Sequence, residues 1–206
     1  MATLKTITDF KSKLAGGGAR ANLFEISIPA LPSVVPGGWD NDTFTFMCKA
    51  APIPAANVNV VDVNFRGRIL KVAGDRTYDP WTVTIINDEN FKIRTALEAW
   101  SNAINRMETA TGLTNPSSYM AAKAYVFQLG RGYDTGIESK TVSNAASGAT
   151  VAPVRSYVIH NIWPQNISAI DLSWDSTDQI QNFTATFEMT HWTAGETGDR
   201  VSTPIN

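Results

Sequence analysis

A single cysteine, two histidines and a charged fraction of only 17% are the scarcities of this 206-residue chain. Cys48 has no second thiol with which to close an intramolecular disulfide. It lies in the alternating run Phe44, Phe46, Cys48, which reads as a strand that buries it as a small hydrophobe. Zinc needs ligands in short-spaced pairs, and one cysteine with the widely separated His160 and His191 supplies none. No apolar run approaches the roughly eighteen residues of a membrane-spanning helix. The opening MATLKTITDFKSKLAGGGAR lacks the apolar core of a secretory signal, so the chain is expected to be made and kept in a cytoplasm. Three N-x-S/T sequences, at Asn41, Asn166 and Asn182, therefore read as chance polar turn or strand residues. The formal net charge of −2, without a cluster of Lys and Arg, gives no footprint for gripping phosphates.

Catalytic arrangements are equally scarce. There is no G-x-S-x-G elbow, and the two histidines that could serve as a base both sit inside strand patterns, where structural or surface roles are expected. GRGYDTG at 130–136 has glycine spacing unlike G-x-G-x-x-G, and it does not lead from a clear strand into a helix. The carboxylate pairs Asp75 with Asp79 and Asp171 with Asp175 read as turn residues satisfying backbone amides. Trp81, Trp100, Trp163 and Trp174 fall inside strand or helix patterns and are expected in the core rather than on a stacking platform. No catalytic, cofactor or metal residue is assigned.

What the chain does have is apolar alternation, with 43% hydrophobic and 10% aromatic residues. In GDRTYDPWTVTIIN, residues 74–87, a turn at Gly74 and Pro80 leads into Trp81, Val83 and Ile85 alternating with Thr82, Thr84 and Ile86. Asp88 and Glu89 then favour a helix start. From about 88 to 107, Ile93, Leu97, Trp100, Ile104 and Met107 line one helical face, expected to cover a face or open end of a barrel. Further strands are expected at Asn22–Ile28, Thr43–Ala50, Ile167–Trp174 and Gln179–His191. A helix or a strand fits Tyr119–Leu129. Between Asn57 and Ala73 two apolar runs flank Arg66 and Gly67, which predicts a hairpin with its tip near Phe65 to Arg68. Within it, Val58 and Val60 share one face while Val61, Val63 and Phe65 share the other, a phase change that suggests a bulge.

The expected fold is one mainly β domain over 1–206: an antiparallel β-barrel or sandwich with one principal helix. Appended to it are an N-terminal arm at 1–19 ending in a glycine triplet, the extended hairpin at 57–73, a Gly/Ser/Ala-rich surface loop at 130–153 with a weak hairpin at Ser139–Val142, and a tail at 193–206. Long apolar strands with few charges leave sheet edges that invite pairing with other copies.

Several blocks together carry a resemblance: RANLFEISI at 20–28, FTFMCKAAPIPA at 44–55, GRILKVAGDRTYDPWTVTIINDENF at 67–91, IWPQNISAIDLSWDS at 162–176 and IQNFTATFEMTHW at 180–192. In order and spacing they resemble the tail-tube proteins of contractile-tailed bacteriophages over most of the chain. The resemblance implies a non-enzymatic virion tail protein, assembled in the host cytoplasm into stacked hexameric rings that form the inner tube and conduit for genome ejection. The tube subunit of a bacterial contractile injection or type VI secretion system, of the same fold, is the alternative. Implied partners are other copies of the chain, the tail sheath, and baseplate tube-initiating and tail-terminating proteins. Viral DNA would pass without specific binding, and nothing inserts in a membrane. By the same resemblance the hairpin and the N-terminal arm reach neighbouring copies, with Phe65, Arg66, Gly67 and Arg68 at the tip and Asp62 and Asn64 on the strand. Asp62, Asn64 and Glu188 are candidates for the wall of the lumen.

Overall fold

The computed structural model describes residues 6–14, 18–130, 153–175 and 179–195. These fall into two compact units. The larger covers 26–125 and 157–193, and the smaller is made from the described residues of 1–25, 126–156 and 194–206. The weak hairpin expected at 139–142, the GRGYDTG loop beyond Gly130 and the tail beyond Gly195 lie outside the described residues.

The strands are β1 (Phe24–Ser27), β2 (Cys48–Ala50), β3 (Asn57–Phe65), β4 (Arg68–Thr77), β5 (Trp81–Ile86), β6 (Ala121–Leu129), β7 (Pro153–Ile167), β8 (Asn182–Glu188) and β9 (His191–Gly195). The helices are α1 (Ile7–Lys13), α2 (Asn41–Met47), α3 (Lys92–Ile104) and α4 (Pro116–Tyr119). The main sheet has the order β1-β6-β7-β8-β5-β2, with β9 also on β7, while β3 and β4 pair, among the described residues, only with each other. The fold is mainly β, of the antiparallel barrel and sandwich class, with α3 as its principal helix.

In the larger unit, β5 sits between β2 and β8, and every other side chain of β5 turns inward. Trp81, Val83 and Ile85 are buried, and they pair across to Phe187, Ala185 and Phe183 of β8, which are buried too. Helix α3 covers this face with Ile93, Leu97 and Trp100. Trp100 meets the Phe187 ring at 6.2 Å, and its indole N–H donates to the Tyr119 carbonyl at 2.7 Å. Arg94 fastens the helix start: its Nη1 donates to the Ser168 carbonyl at 3.1 Å and its guanidinium lies over the Phe183 ring. Each of these buried aromatics or aliphatics stabilises by roughly 1.5 to 3 kcal/mol before ordering entropy is subtracted.

Several expected boundaries are corrected. The helix expected from about 88 begins at Lys92, because 88–91 form a turn in which the Phe91 N–H donates to the Asp88 carbonyl. Asp88 still serves the helix, since its carboxylate accepts the Lys92 N–H at 3.0 Å. The helix stops at Ile104, where Asn105 bridges to Gly112, and Met107 is left 74% exposed. Thr43–Met47 is helical rather than extended. Asp40 accepts the Thr43 N–H and nucleates α2, so Phe44 is buried while Phe46, two residues round the helix, faces solvent. Only Cys48–Ala50 is strand, and burial pushes the Cys48 thiol up to about 12.

Gly74 is inside β4, not in a turn, and so is Asp75. A Cβ at Gly74 would lie 3.1 Å from the Asn59 carbonyl oxygen, beside the register shift between Val58 and Val60, so close backbone approach is what glycine supplies there. Ile167–Trp174 is not a strand: β7 ends at Ile167, and Leu172 and Trp174 are exposed. Trp163 is half-buried, Trp81 and Trp100 are core as expected, and Trp174 is not. The last strand divides at Met189 and Thr190 into β8 and β9. Tyr119–Leu129 holds both elements, α4 ending and β6 following.

In the smaller unit, α1 is closed at its start by a reciprocal pair in which Thr6 and Asp9 each accept the other's backbone N–H. No residue of α1 is buried, Ile7 and Phe10 included. Val126 and Phe127 are buried, the Leu129 N–H donates to the Leu23 carbonyl, and the Gln128 amide donates to the Arg20 and Leu23 carbonyls.

Candidate assembly surface

The β3–β4 hairpin is a two-stranded ribbon whose residues are all exposed except Gly74. Its tip is a two-residue turn with Arg66 at φ 45° and Gly67 at φ 80°, the left-handed pair that matches strand twist in a tight hairpin. Gly67 takes this geometry freely, whereas Arg66 holds it at a cost of about 1 kcal/mol. From the tip, the pairs Phe65–Arg68, Asn64–Ile69, Val63–Leu70, Asp62–Lys71 and Val61–Val72 follow in register. Alternation sorts them into two faces. One carries Val61, Val63, Phe65, Leu70 and Val72 with Arg68 at its end; the other carries Asp62, Asn64 and Lys71 among Val60, Ile69 and Ala73.

Six residues were expected to carry contacts, and the ribbon places Phe65 and Arg68 on one face, Asp62 and Asn64 on the other, and Arg66 and Gly67 in the turn. Phe65 lies on the apolar face, 66% exposed, with the Arg66 guanidinium 5.3 Å from its ring centre. Asp62 and Asn64 lie on the opposite, polar face, where Asp62 pairs with Lys71 at 3.6 Å. That pair is solvent-exposed and contributes little. The larger feature is the apolar face itself, and its Leu70 and Val72 were missed. The signal was present: with the turn at Arg66–Gly67, mirror pairing places Leu70 against Val63 and Val72 against Val61. An isolated two-stranded ribbon is marginal in water, so five exposed apolar side chains on one side of it call for a covering surface.

The wet face of the main sheet differs in kind. Opposite the buried residues, Thr82 pairs with Thr186 through their hydroxyls at 3.1 Å, and Thr84 pairs with Thr184. Strands β5 and β8 together contain no lysine or arginine, and Glu188 is their one charged residue.

His160 and His191 stack with ring centres 4.4 Å apart, and His160 Nε2 meets the Thr193 hydroxyl at 3.2 Å. Among the described residues no carboxylate hydrogen-bonds to either ring. Among the described residues no three His, Cys, Asp or Glu side chains converge as metal ligands. Asp75, Asp171 and Asp175 are exposed, and no described helix is long and apolar enough to cross a membrane.

A family model described as phage tail tube protein matches residues 19–195. The chain belongs to the phage tail tube protein family. It is 34% identical over 179 residues to the tail tube protein gp19 of Enterobacteria phage T4, covering 86% of this chain and 93% of that one. The tail tube protein of Serratia phage KSP90 is 22% identical over 183 residues, covering 88% and 92%. Among solved structures, a chain from the baseplate of the anti-feeding prophage shares the fold with a TM-score of 0.54 at 10% identity, over 87% of this chain and 96% of that one. A chain of the sheath–tube complex of an extracellular contractile injection system, in the extended state, gives 0.52 at 8% identity over 90% and 97%. As a tail tube protein, this chain is a component of the virion tail.

Proposed function

We propose that copies of this chain assemble into stacked hexameric rings forming the inner tube of a contractile tail, through which the genome leaves the virion. The role is structural and non-enzymatic. Family membership supports it, and the observation that carries it is the hairpin, whose apolar face finds no cover among the described residues and is expected to contact a neighbouring copy with Phe65, Arg66, Gly67 and Arg68 at its tip. A ring of heterologous contacts would cover such a face on every copy alike. The N-terminal arm, with Ile7 and Phe10 exposed on α1, is a second reaching element. Sheath, baseplate and tail-terminating proteins are the remaining partners of a tube so placed. The threonine face of β5 and β8 offers no cation to a phosphate chain, which suits a wall past which DNA slides without counterion release.

The test is negative-stain microscopy of the purified full chain. Rings or hollow rods are expected; a chain that remains monomeric at high concentration, even with its baseplate present, overturns the proposal.

A further inference from the structure

A second set of exposed apolar residues lies far along the sequence from the hairpin and is just as bare. In the connection between β7 and β8, Leu172 is 78% exposed, Ile180 72% and Trp174 102%. A fully exposed tryptophan on a loop is the residue type that anchors interfaces, because its large rigid ring gains most from desolvation. Its neighbours are acidic: residues 168–182 carry three aspartates, including Asp171 and Asp175 beside the tryptophan, and no cation. The hairpin has the opposite balance. Residues 57–77 carry Arg66, Arg68, Lys71 and Arg76 against Asp62 and Asp75, and Arg66 and Arg68 border the apolar face at Phe65.

Resting on the assembly reading above, we infer that the cover of the hairpin's apolar face is the Asp171–Asp175 loop of a second copy, with Trp174 and Leu172 laid on Val63, Phe65 and Leu70 and the two aspartates meeting Arg66 and Arg68. Both surfaces are exposed in one copy, so neither covers the other within the chain. Joining unlike patches of identical copies is a heterologous contact, which propagates round a ring or along a stack. The charges set register and exclude wrong partners, while the aromatic and aliphatic burial holds the contact closed.

Charge reversal tests this directly. One variant carries Arg66→Asp with Arg68→Asp, and the other carries Asp171→Arg with Asp175→Arg. Each alone presents like charges across the contact, and each is expected to form no tubes at concentrations where the unmodified chain does. Mixed in equal amounts they are expected to assemble, since the acidic hairpin of one meets the basic loop of the other and the unmodified pair meets in alternation. Trp174→Ala is expected to raise the concentration needed for assembly roughly thirtyfold. Thermal unfolding of each variant, unchanged because every altered residue is exposed, shows that the subunit itself is intact. A mixture that fails to assemble, or single reversals that assemble as well as the unmodified chain, overturns this contact and leaves the tube proposal standing. Absence of tubes from the unmodified chain defeats the tube proposal itself.

Discussion

Strands β5 and β3 look alike on paper. Both alternate apolar with polar residues beside an antiparallel neighbour, yet Trp81, Val83 and Ile85 of β5 are at most 1% exposed while Val61, Val63 and Phe65 of β3 are at least 45% exposed. The pleat is the same in both, and what differs is the layer above it. Helix α3 lays Trp100 over Phe187, whereas none of the described residues lies over the hairpin. Apolar alternation therefore reports that a face will be covered, and says nothing about which molecule covers it. In the sheet the cover is part of the same chain and its contribution is folding stability; at the hairpin the same chemistry would, on the assembly proposed above, be covered by another copy.

Removing the cover from the sheet gives the largest effect. Trp100→Ala opens a cavity against Phe187 and leaves the Tyr119 carbonyl without its donor, so a loss of about 3 to 5 kcal/mol in urea unfolding is expected. A loss under about 1 kcal/mol would mean that α3 is a loose attachment and the contrast with the hairpin is false. On the other side, Leu70→Asp is expected to leave subunit unfolding within about 0.5 kcal/mol while abolishing tubes in sedimentation and microscopy, because a charge enters the face that awaits a partner. Destabilisation as large as that of Trp100→Ala would show that the hairpin folds back onto its own chain. Gly67→Ala has a smaller consequence. Nothing lies within 4 Å of the position, so only the left-handed backbone at φ 80° is penalised, by about 1 kcal/mol. Subunit unfolding is expected to lose no more than that roughly 1 kcal/mol, and assembly to need a higher concentration because the strained turn opens more readily before the contact forms; an assembly threshold equal to that of the unmodified chain would show that the tip need not be preformed.

The same contrast marks what could be read from the residues. β5, β8, the hairpin turn and the bulge near Val58 were legible because local alternation and one left-handed dipeptide specify them. So was the helical stripe Ile93, Leu97 and Trp100. Thr43–Met47 was misread because alternation of Phe44, Phe46 and Cys48 over so few residues fits either period, and the Asp40 cap decided for helix. β7 was not delimited: its residues 160–164, HNIWP, combine Asn161 at φ 55° with a register shift at Pro164, so the strand lacks a clean period of two. Trp174 shows the deepest limit. Its apolar character was visible, but burial within the chain and burial between chains leave the same trace in a sequence, and only coordinates show the ring bare.

The smallest expected effect lies on the sheet side of the comparison, at the stacked histidines. Burial lowers the His160 pKa below its ordinary 6.5, and the nearby His191 and then Lys123 push it the same way. The folded chain therefore binds this proton less readily than the unfolded chain. Its contribution to stability is complete above 6.5 and is lost as pH falls from there through the folded-state value. Half-exposure screens the charges, so the change is modest beside that of Trp100→Ala. Urea midpoints are expected to decline as pH drops below 6.5, and His160→Gln, which keeps a polar partner for the Thr193 hydroxyl without titrating, is expected to flatten part of that decline. Identical slopes for the two chains would mean that the ring takes its proton in the folded sheet as readily as in the unfolded chain, and that the stack against His191 does not oppose it.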